Sequence, residues 1–561
     1  MIINSIIDNE KTPGKQTAYK LAIKSMVFTL HRYIFRELSR VFILAAVALT
    51  LILSLGSILQ PVQEFGAGPR QVIHLMGYFL PITLTFVLPM AALFAGALVY
   101  GRFASDNELD ACRASGISLL TLVNPGLALA IIVATANLIL SFYVMPVFVH
   151  RAEKSLKADA KQIVFRNIQR RKFYALPPDE RYLIYADNVN MQKNMLSGVV
   201  VAEIKNNEIQ RIVTAEVAKV NFNMHERFNE VQILAYKTYQ TGFEDKGRAE
   251  SATFMSEFGS LLGDDIKFKK IDEMKKIQID PMRFGPIAKE AQDTYAQLTI
   301  ELLAKDIRTK LTETAESDDT DSFYELLGEP NSVRFTAGLC AIKDEEELEL
   351  SDDVVVVEYD TTSKRILHTL NCTSATLHIE GDKLSPTLTM DISSAREADS
   401  PQLRMRYYIR GLIPPPAVET AASEFRTEHG SIKIEKLASP LSVVQASRVL
   451  AGRQYQLNRK TKKALAQIKA EIHSRLVFGI GCIPMILIGI GLGVIKKGGH
   501  LLSAFAASCL PAAVLIICIM SGKQLTENLG VKTVSGITLM WGGLIFMSAL
   551  TVVIYHRLLR N

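Results

Sequence analysis

Residues 41–59 read VFILAAVALTLILSLGSIL, without a single charged side chain. About 20 apolar residues at 1.5 Å rise each cross a hydrocarbon core of about 30 Å. This stretch therefore reads as a membrane helix. Five more uncharged runs share its character: 72–100, broken by Pro81 and Pro89; 119–149, with Pro125 and Pro146; 476–495; 501–521; and 534–555. A long soluble helix keeps a polar face, and these keep none. Three runs precede residue 150 and three follow residue 475, so a polar centre separates two apolar triplets.

The whole chain has 561 residues and carries 63 Lys+Arg against 57 Asp+Glu. A net charge of +6 is too small to argue for nucleic acid. With 48% apolar residues the chain is not a disordered one, and six cysteines are too few for a disulfide scaffold. Residues 1–31 contain Lys11, Lys15, Lys20 and Lys24 and no apolar core of useful length. A cleaved leader is not expected there, and the first span should remain as a helix. Arg32, Arg36, Arg40, Arg102, Arg113, Lys496, Lys497, Arg557 and Arg560 flank the spans on one side, against Arg70, Lys523 and Lys532 on the other. The positive-inside rule then puts both termini in the cytoplasm and the centre outside.

That centre is polar and rich in short β-type runs: 173–176, 182–186, 199–204, 209–213 and 231–239, then 354–357, 374–379 and 403–410. Turn signals such as Pro177-Pro178-Asp179 and Lys205-Asn206-Asn207 separate them. This spacing predicts a sandwich or jelly roll, as one β domain with a helical insertion or as two β modules. Ala291, Leu298, Leu302 and Ile307 predict an amphipathic helix inside it. Residues 462–471 read as a helix continuous with the fourth span, which would mount the outer domain on a helix. The expected fold is a six-span α-helical membrane protein, 3+3, with a large extracytoplasmic β-jelly-roll-like domain between the third and fourth spans. The expected divisions are a cytoplasmic tail at 1–31; spans one to three at 32–152, with a cytoplasmic coupling loop at 101–118; the outer domain at 153–465, with its helical insertion near 288–316; and spans four to six at 466–561.

Enzyme motifs are absent from the sequence. Gly14-Lys15-Gln16 and Gly522-Lys523-Gln524 lack the Ser/Thr and the upstream glycine of a Walker loop, and no HExxH, CxxC or GxSxG occurs. His225-Glu226 reads as a solvated pair and His473 as a packing or interfacial residue. No cofactor or metal is expected. Cys340 and Cys372 share the outer segment, where a disulfide and two free thiols are both open readings.

The most informative loop follows the second span. Ser105 and Glu108 have the spacing of a capping box. Gly116 suits the position just past a helix end. A short helix of about ten residues follows, about 15 Å long. Asp106, Glu108 and Asp110 lie at its start, where the helix dipole favours carboxylates. It reads either as a capped interhelical turn or as a helix that docks into a groove on a cytoplasmic partner.

Three stretches carry a resemblance to a known family. Arg32-Tyr33-Ile34-Phe35-Arg36-Glu37 leads into the first span. Asp106-Asn107-Glu108-Leu109 is followed by Ala114-Ser115-Gly116-Ile117-Ser118. Glu471-Ile472-His473-Ser474-Arg475-Leu476 enters the fourth span, followed by Gly489, Gly491, Gly493, Lys496-Lys497-Gly498-Gly499 and Trp541. On these residues the chain resembles the LptF/LptG permeases of the lipopolysaccharide export ABC transporter. The likeness covers roughly 32–165 and 460–557, and the centre is longer than is typical.

The resemblance implies a transport subunit rather than an enzyme. It implies pairing with a second LptF/LptG-type permease and a dimeric LptB-type ATPase below. Ser105, Asp106, Glu108, Leu109, Arg113 and Gly116 would couple to that ATPase, with Glu108 foremost. Lipopolysaccharide would be taken from the inner membrane and passed to LptC- and LptA-like periplasmic partners. Exposing each acyl CH₂ to water costs about 0.8 kcal/mol, so such a route must stay apolar. The family's basic residues at the outer end of the first span are replaced here by Gln60, Gln63 and Glu64. Arg70, Lys469 and Arg475 are the headgroup candidates that remain, with Arg475 as an ordinary interfacial arginine the alternative. The rival functions are a permease of another mechanotransducing ABC system acting on lipoproteins and a non-transporting envelope scaffold.

Overall fold

The structure, a computed structural model, describes all residues except 1–12, 66–68, 159, 176–181, 206–207, 225–228, 243–245, 259–264, 317–322, 345, 381–382, 385, 398–402, 428–431, 439–446, 496–500, 531–532 and 561. The turn at 177–179, the His225-Glu226 pair and the Lys496–Gly499 stretch lie outside the described residues. The chain divides into two compact units, residues 1–274 with 466–561 and residues 275–465.

The first unit begins with helices. α1 is Pro13–Phe65, α2 Pro69–Ser105, α3 Glu108–Ala114 and α4 Leu119–Ile139. A π-turn, Leu140–Val144, leads to α5, Met145–Ala158, and then α6, Ala160–Arg171. Six strands follow: β1 Phe173–Ala175, β2 Tyr182–Asn190, β3 Met195–Lys205, β4 Glu208–Met224, β5 Asn229–Gly242 and β6 Lys246–Phe258. They pair antiparallel in chain order from β1 to β6. One apolar face of this meander is covered by Val164, Phe165 and Ile168 of α6, which join Ile184, Leu196, Val201, Ile233 and Phe254 in one core.

The second unit takes up the chain within α7, Ile271–Ile279, and is organised around α8, Gly285–Glu316. Its strands are β7 Tyr324–Leu326, β8 Asn331–Thr336, β9 Leu339–Asp344, β10 Glu347–Asp360, β11 Ile366–Glu380, β12 Thr387–Glu397 and β13 Leu403–Leu412. Their order is β13-β12-β11-β10-β8-β7, with β9 also on β10. β8 and β9 thus act as one interrupted strand beside β10. The sheet curls until its ends meet: Ile413 N–H donates to Leu327 O at 2.7 Å and Glu329 N–H to Gly411 O at 3.2 Å. Gly411 has φ +76°, and a Cβ there would sit 2.6 Å from Glu329 O. Only glycine fits this closure. Both described sheets are meanders, not the Greek-key order of a jelly roll. Pairing between chain neighbours closes the shortest loops. The described strands form two separate sheets, one in each unit, where the sequence left one β domain or two modules open.

α8 departs from the amphipathic expectation. Every residue from Thr294 to Ala304 is buried, the polar ones included. Those polar groups are paired, some within the helix and others with distant parts of the chain. Thr294 and Thr299 hydroxyls donate to the carbonyls of Glu290 and Tyr295, and Gln297 Oε1 accepts from Glu346 N–H at 2.6 Å. Glu301 takes Ser447, and Glu290 takes Lys460 at 2.5 Å and Arg453 at 3.4 Å. Buried polar groups persist only when paired in this way. The two cysteines are also settled: both are free. Cys340 pairs with Leu350 and Cys372 with Val354, so β10 runs between them. Two strand spacings are about 9.5 Å, beyond the reach of about 7 Å that a disulfide allows.

After α9, Pro416–Ser423, and α10, Ile434–Leu437, one unbroken helix α11 runs Arg448–Ile495. α12, Leu501–Glu527, and α13, Thr533–Arg560, complete the first unit. Among the described residues six helices are long and apolar enough to cross a membrane: Phe28–Ser54, Gly77–Ser105, Leu119–Ala152, Arg448–Ile495, Cys509–Glu527 and Thr533–Arg560. Their exposed faces carry Ile43, Leu44, Leu51, Ile131, Ile517, Ile545 and Val552, side chains suited to lipid rather than water. Close approach between spans rests on small residues. A Cβ on Gly493 of α11 would lie 2.7 Å from Ala97 O of α2.

Candidate functional site

The loop between the second and third spans forms a compact helical corner. The expected capping box is not made. Ser105 is still helical, and its hydroxyl donates back to Gly101 O at 2.9 Å. The residue before α3 is Asn107, at φ 59°, with no side-chain cap. A box requires an extended Ser105. The apolar face of α2 instead runs on through Phe103 and Ala104, 1% and 3% exposed, and holds Ser105 in the helix. α3 is accordingly seven residues long, not ten.

Its far end follows the expectation. Gly116 has φ +85°. Gly116 N–H donates to Arg113 O at 2.9 Å and Ile117 N–H to Cys112 O at 3.1 Å. These two bonds define a Schellman motif. Ser118 then caps α4, accepting from Thr121 N–H at 3.3 Å.

The corner is anchored chiefly by Leu109, with Cys112 and Ile117 half-buried against the same core, and exposes its polar residues. Leu109 is 4% exposed and packs in the core with Phe103, Ala104 and Leu122. Ser105, Asp106, Glu108, Asp110, Arg113 and Gly116 are exposed. Glu108 and Asp110 sit in the first turn of α3 and Arg113 in the last, each at the end its charge favours. Burial, and then the charge of Glu108, push the Cys112 thiol up. A crevice of about 230 Å³ opens beside α3, lined by Asp110, Arg113, Ile495 and Arg557 among others. The corner is therefore a mostly polar surface set on an apolar pin.

Sequence reading missed what holds this corner from behind. Arg102 Nη2 donates to Glu37 Oε1 at 3.1 Å, and Arg40 lies 3.5 Å from the same carboxylate. Tyr33 stacks on Phe103 with centroids 5.8 Å apart. His31 Nε2 is 2.9 Å from Thr121 O. The available signal was a pair of opposite charges, each beside an apolar span, but nothing in the sequence says that they meet.

The headgroup candidates separate. Lys469 is exposed. The side chain of Arg70 lies outside the described residues, as do those of Gln60, Gln63 and Glu64. Arg475 is 5% exposed and fully engaged. It donates to Glu471 Oε1 at 2.9 Å, Ser141 O at 2.9 Å, Lys267 O at 2.6 Å and Lys269 O at 3.4 Å, and lies over the Phe142 ring. Its bond to Ser141 has a local cause. In the π-turn Met145 N–H reaches back five residues to Leu140 O. Pro146 comes next and has no N–H for Ser141 O, so the guanidinium supplies it. Lys523 adds a bond to Glu471 at 2.5 Å. A buried arginine with its donors used is a structural group, not one open to a phosphate. His473 accepts from Trp541 Nε1 at 3.3 Å, as a packing residue would.

Six spans and a strand-rich β domain define a multi-pass membrane protein. Residues 32–284 and 344–557 match the lipopolysaccharide export system permease family LptF/LptG, and the chain belongs to that family. The gap at 285–343 holds α8, β7, β8 and nearly all of β9. No curated protein matches the chain.

Proposed function

We propose that the chain is the permease subunit of an ABC transporter that extracts lipopolysaccharide, or a related glycolipid, from the inner membrane and passes it to a periplasmic bridge. The single observation that carries the docking part is the corner at α3. Glu108, Asp110 and Arg113 are exposed on a helix pinned between two spans by Leu109. That is the form of a surface built to be gripped by a cytoplasmic subunit. In this reading both termini and α3 are cytoplasmic, and the β-rich centre between the third and fourth spans is periplasmic. An LptB-type ATPase dimer binds α3 and its counterpart on a second LptF/LptG-type permease. LptC- and LptA-like proteins receive the lipid. Lys469 and Arg70 remain the headgroup contacts, and Arg475 is left out because its donors are used internally.

Co-purification of the full chain with its ATPase tests this. Glu108→Lys reverses the charge of an exposed residue and should lower ATPase retention at least about tenfold with unchanged thermal stability. Full retention, with lipopolysaccharide delivery intact, would remove the docking role of α3.

A further inference from the structure

We infer that Tyr33 and Glu37 are positioning residues that yoke the docking helix α3 to the first span, so that a displacement of α3 is handed to α1. This rests on the docking reading above. The observation is that α1 grips both ends of the corner. Ahead of α3 it holds two consecutive residues of α2, Arg102 through Glu37 at 3.1 Å and Phe103 through the Tyr33 ring. Beyond α3 it reaches Thr121, in the first turn of α4, through His31. Tyr33 and Glu37 stand four residues apart and share one helix face. Ile34 and Leu38, one step round, are 2% and 0% exposed in the same core as Leu109.

The three spans that meet this corner differ in stiffness. Between Tyr33 and Ser54 the first span contains no Pro and no Gly. The second carries Pro81 and Pro89, and the third Pro125 and the π-turn before Pro146. Sharp helix bends arise at such residues. A push at α3 is therefore absorbed along the second and third spans but carried along the first at least as far as Ser54, ahead of Gly56 and Pro61. The Glu37–Arg102 pair suits a joint of this kind. Its side chains are 18% and 40% exposed, so it can part and re-form without stranding a buried charge.

The test uses the full chain with its ATPase and companion permease in proteoliposomes, following ATP hydrolysis and lipopolysaccharide delivered per ATP. Glu37→Arg and Arg102→Glu should each keep the ATPase bound and hydrolysing while delivery per ATP falls about fivefold, the scale of one half-exposed ion pair. The double swap should restore at least half of the loss, which independent damage at two uncoupled positions would not do. Equal delivery in both single variants overturns the inference, as does loss of the ATPase itself from them, since the pair would then only shape the docking face. Glu108→Ala run alongside keeps the two readings apart. If it retains the ATPase, the docking reading fails whatever the pair does.

Discussion

Two of the Glu–Arg pairs among the described helices of the first unit differ in almost every respect. Glu471 and Arg475 lie four residues apart on α11, with side chains 8% and 4% exposed. Glu37 and Arg102 join two helices, with side chains 18% and 40% exposed. The buried pair recruits everything around it: the Ser141, Lys267 and Lys269 carbonyls and the Lys523 ammonium. The partly exposed pair has Arg40 3.5 Å from its carboxylate and the Phe103 ring beneath its guanidinium. The difference follows from solvation. A charge out of water must have its whole hydrogen-bonding capacity met by protein, whereas a charge at the rim can exchange its partner for water. One pair locks helices together, and the other can act as a joint.

Removing Arg475 is the severest challenge to that contrast. Arg475→Ala leaves the buried Glu471 carboxylate with Lys523 alone and three carbonyls without this donor, and should cost about 3 kcal/mol. Thermal unfolding in detergent reads this directly. Arg475→Lys should recover only part, because one ammonium cannot replace the planar fork. A stable Arg475→Ala protein would erase the distinction between lock and joint. At the joint, Glu37→Gln should change stability by less than about 1 kcal/mol in the same assay. A larger loss would make Glu37 a second lock.

The smallest effect concerns neutral buried groups in the other unit. Burial pushes both the Cys340 and Cys372 thiols up to about 11, with Arg308 opposing at Cys340. Their ordinary value is 9.0. Below that value neither state ionises, and the thiols add no pH dependence. As pH rises from 9 to about 11 the unfolded chain loses its thiol protons first, so stability falls through this window. At pH 7.5 neither thiol should react with maleimide until denaturant is added, and both should then react without reductant. Labelling of the native protein would show that the barrier of burial is absent.

The family gap sharpens a further point. Residues 285–343 include a helix whose middle three turns are buried on every side. The apolar positions of that helix were visible as Ala291, Leu298, Leu302 and Ile307, and the charges interspersed among them suggested an amphipathic helix. Gln297 and Glu301 are nevertheless buried because partners distant in the chain, Glu346 and Ser447, satisfy them, whereas Thr299 bonds within the helix to Tyr295 O. The same holds at α3. Gly116 announced the helix end, because a left-handed backbone position selects glycine locally. The start was misread, because whether Ser105 ends α2 or caps α3 depends on burial of Phe103 and Ala104 against other helices.

The amino-acid order alone therefore marked the six apolar helices, the strand-rich centre, the glycine that ends α3 and the apolar positions of α8. Each of these depends on composition or on spacing within a few turns, which neighbouring residues carry by themselves. Tertiary structure decided that there are two meanders, that Cys340 and Cys372 are kept apart by β10, that Arg475 is consumed inside the bundle, and that Glu37 meets Arg102. Those outcomes join groups tens to hundreds of residues apart, and their energies exist only once the chain has brought the partners together and excluded water between them.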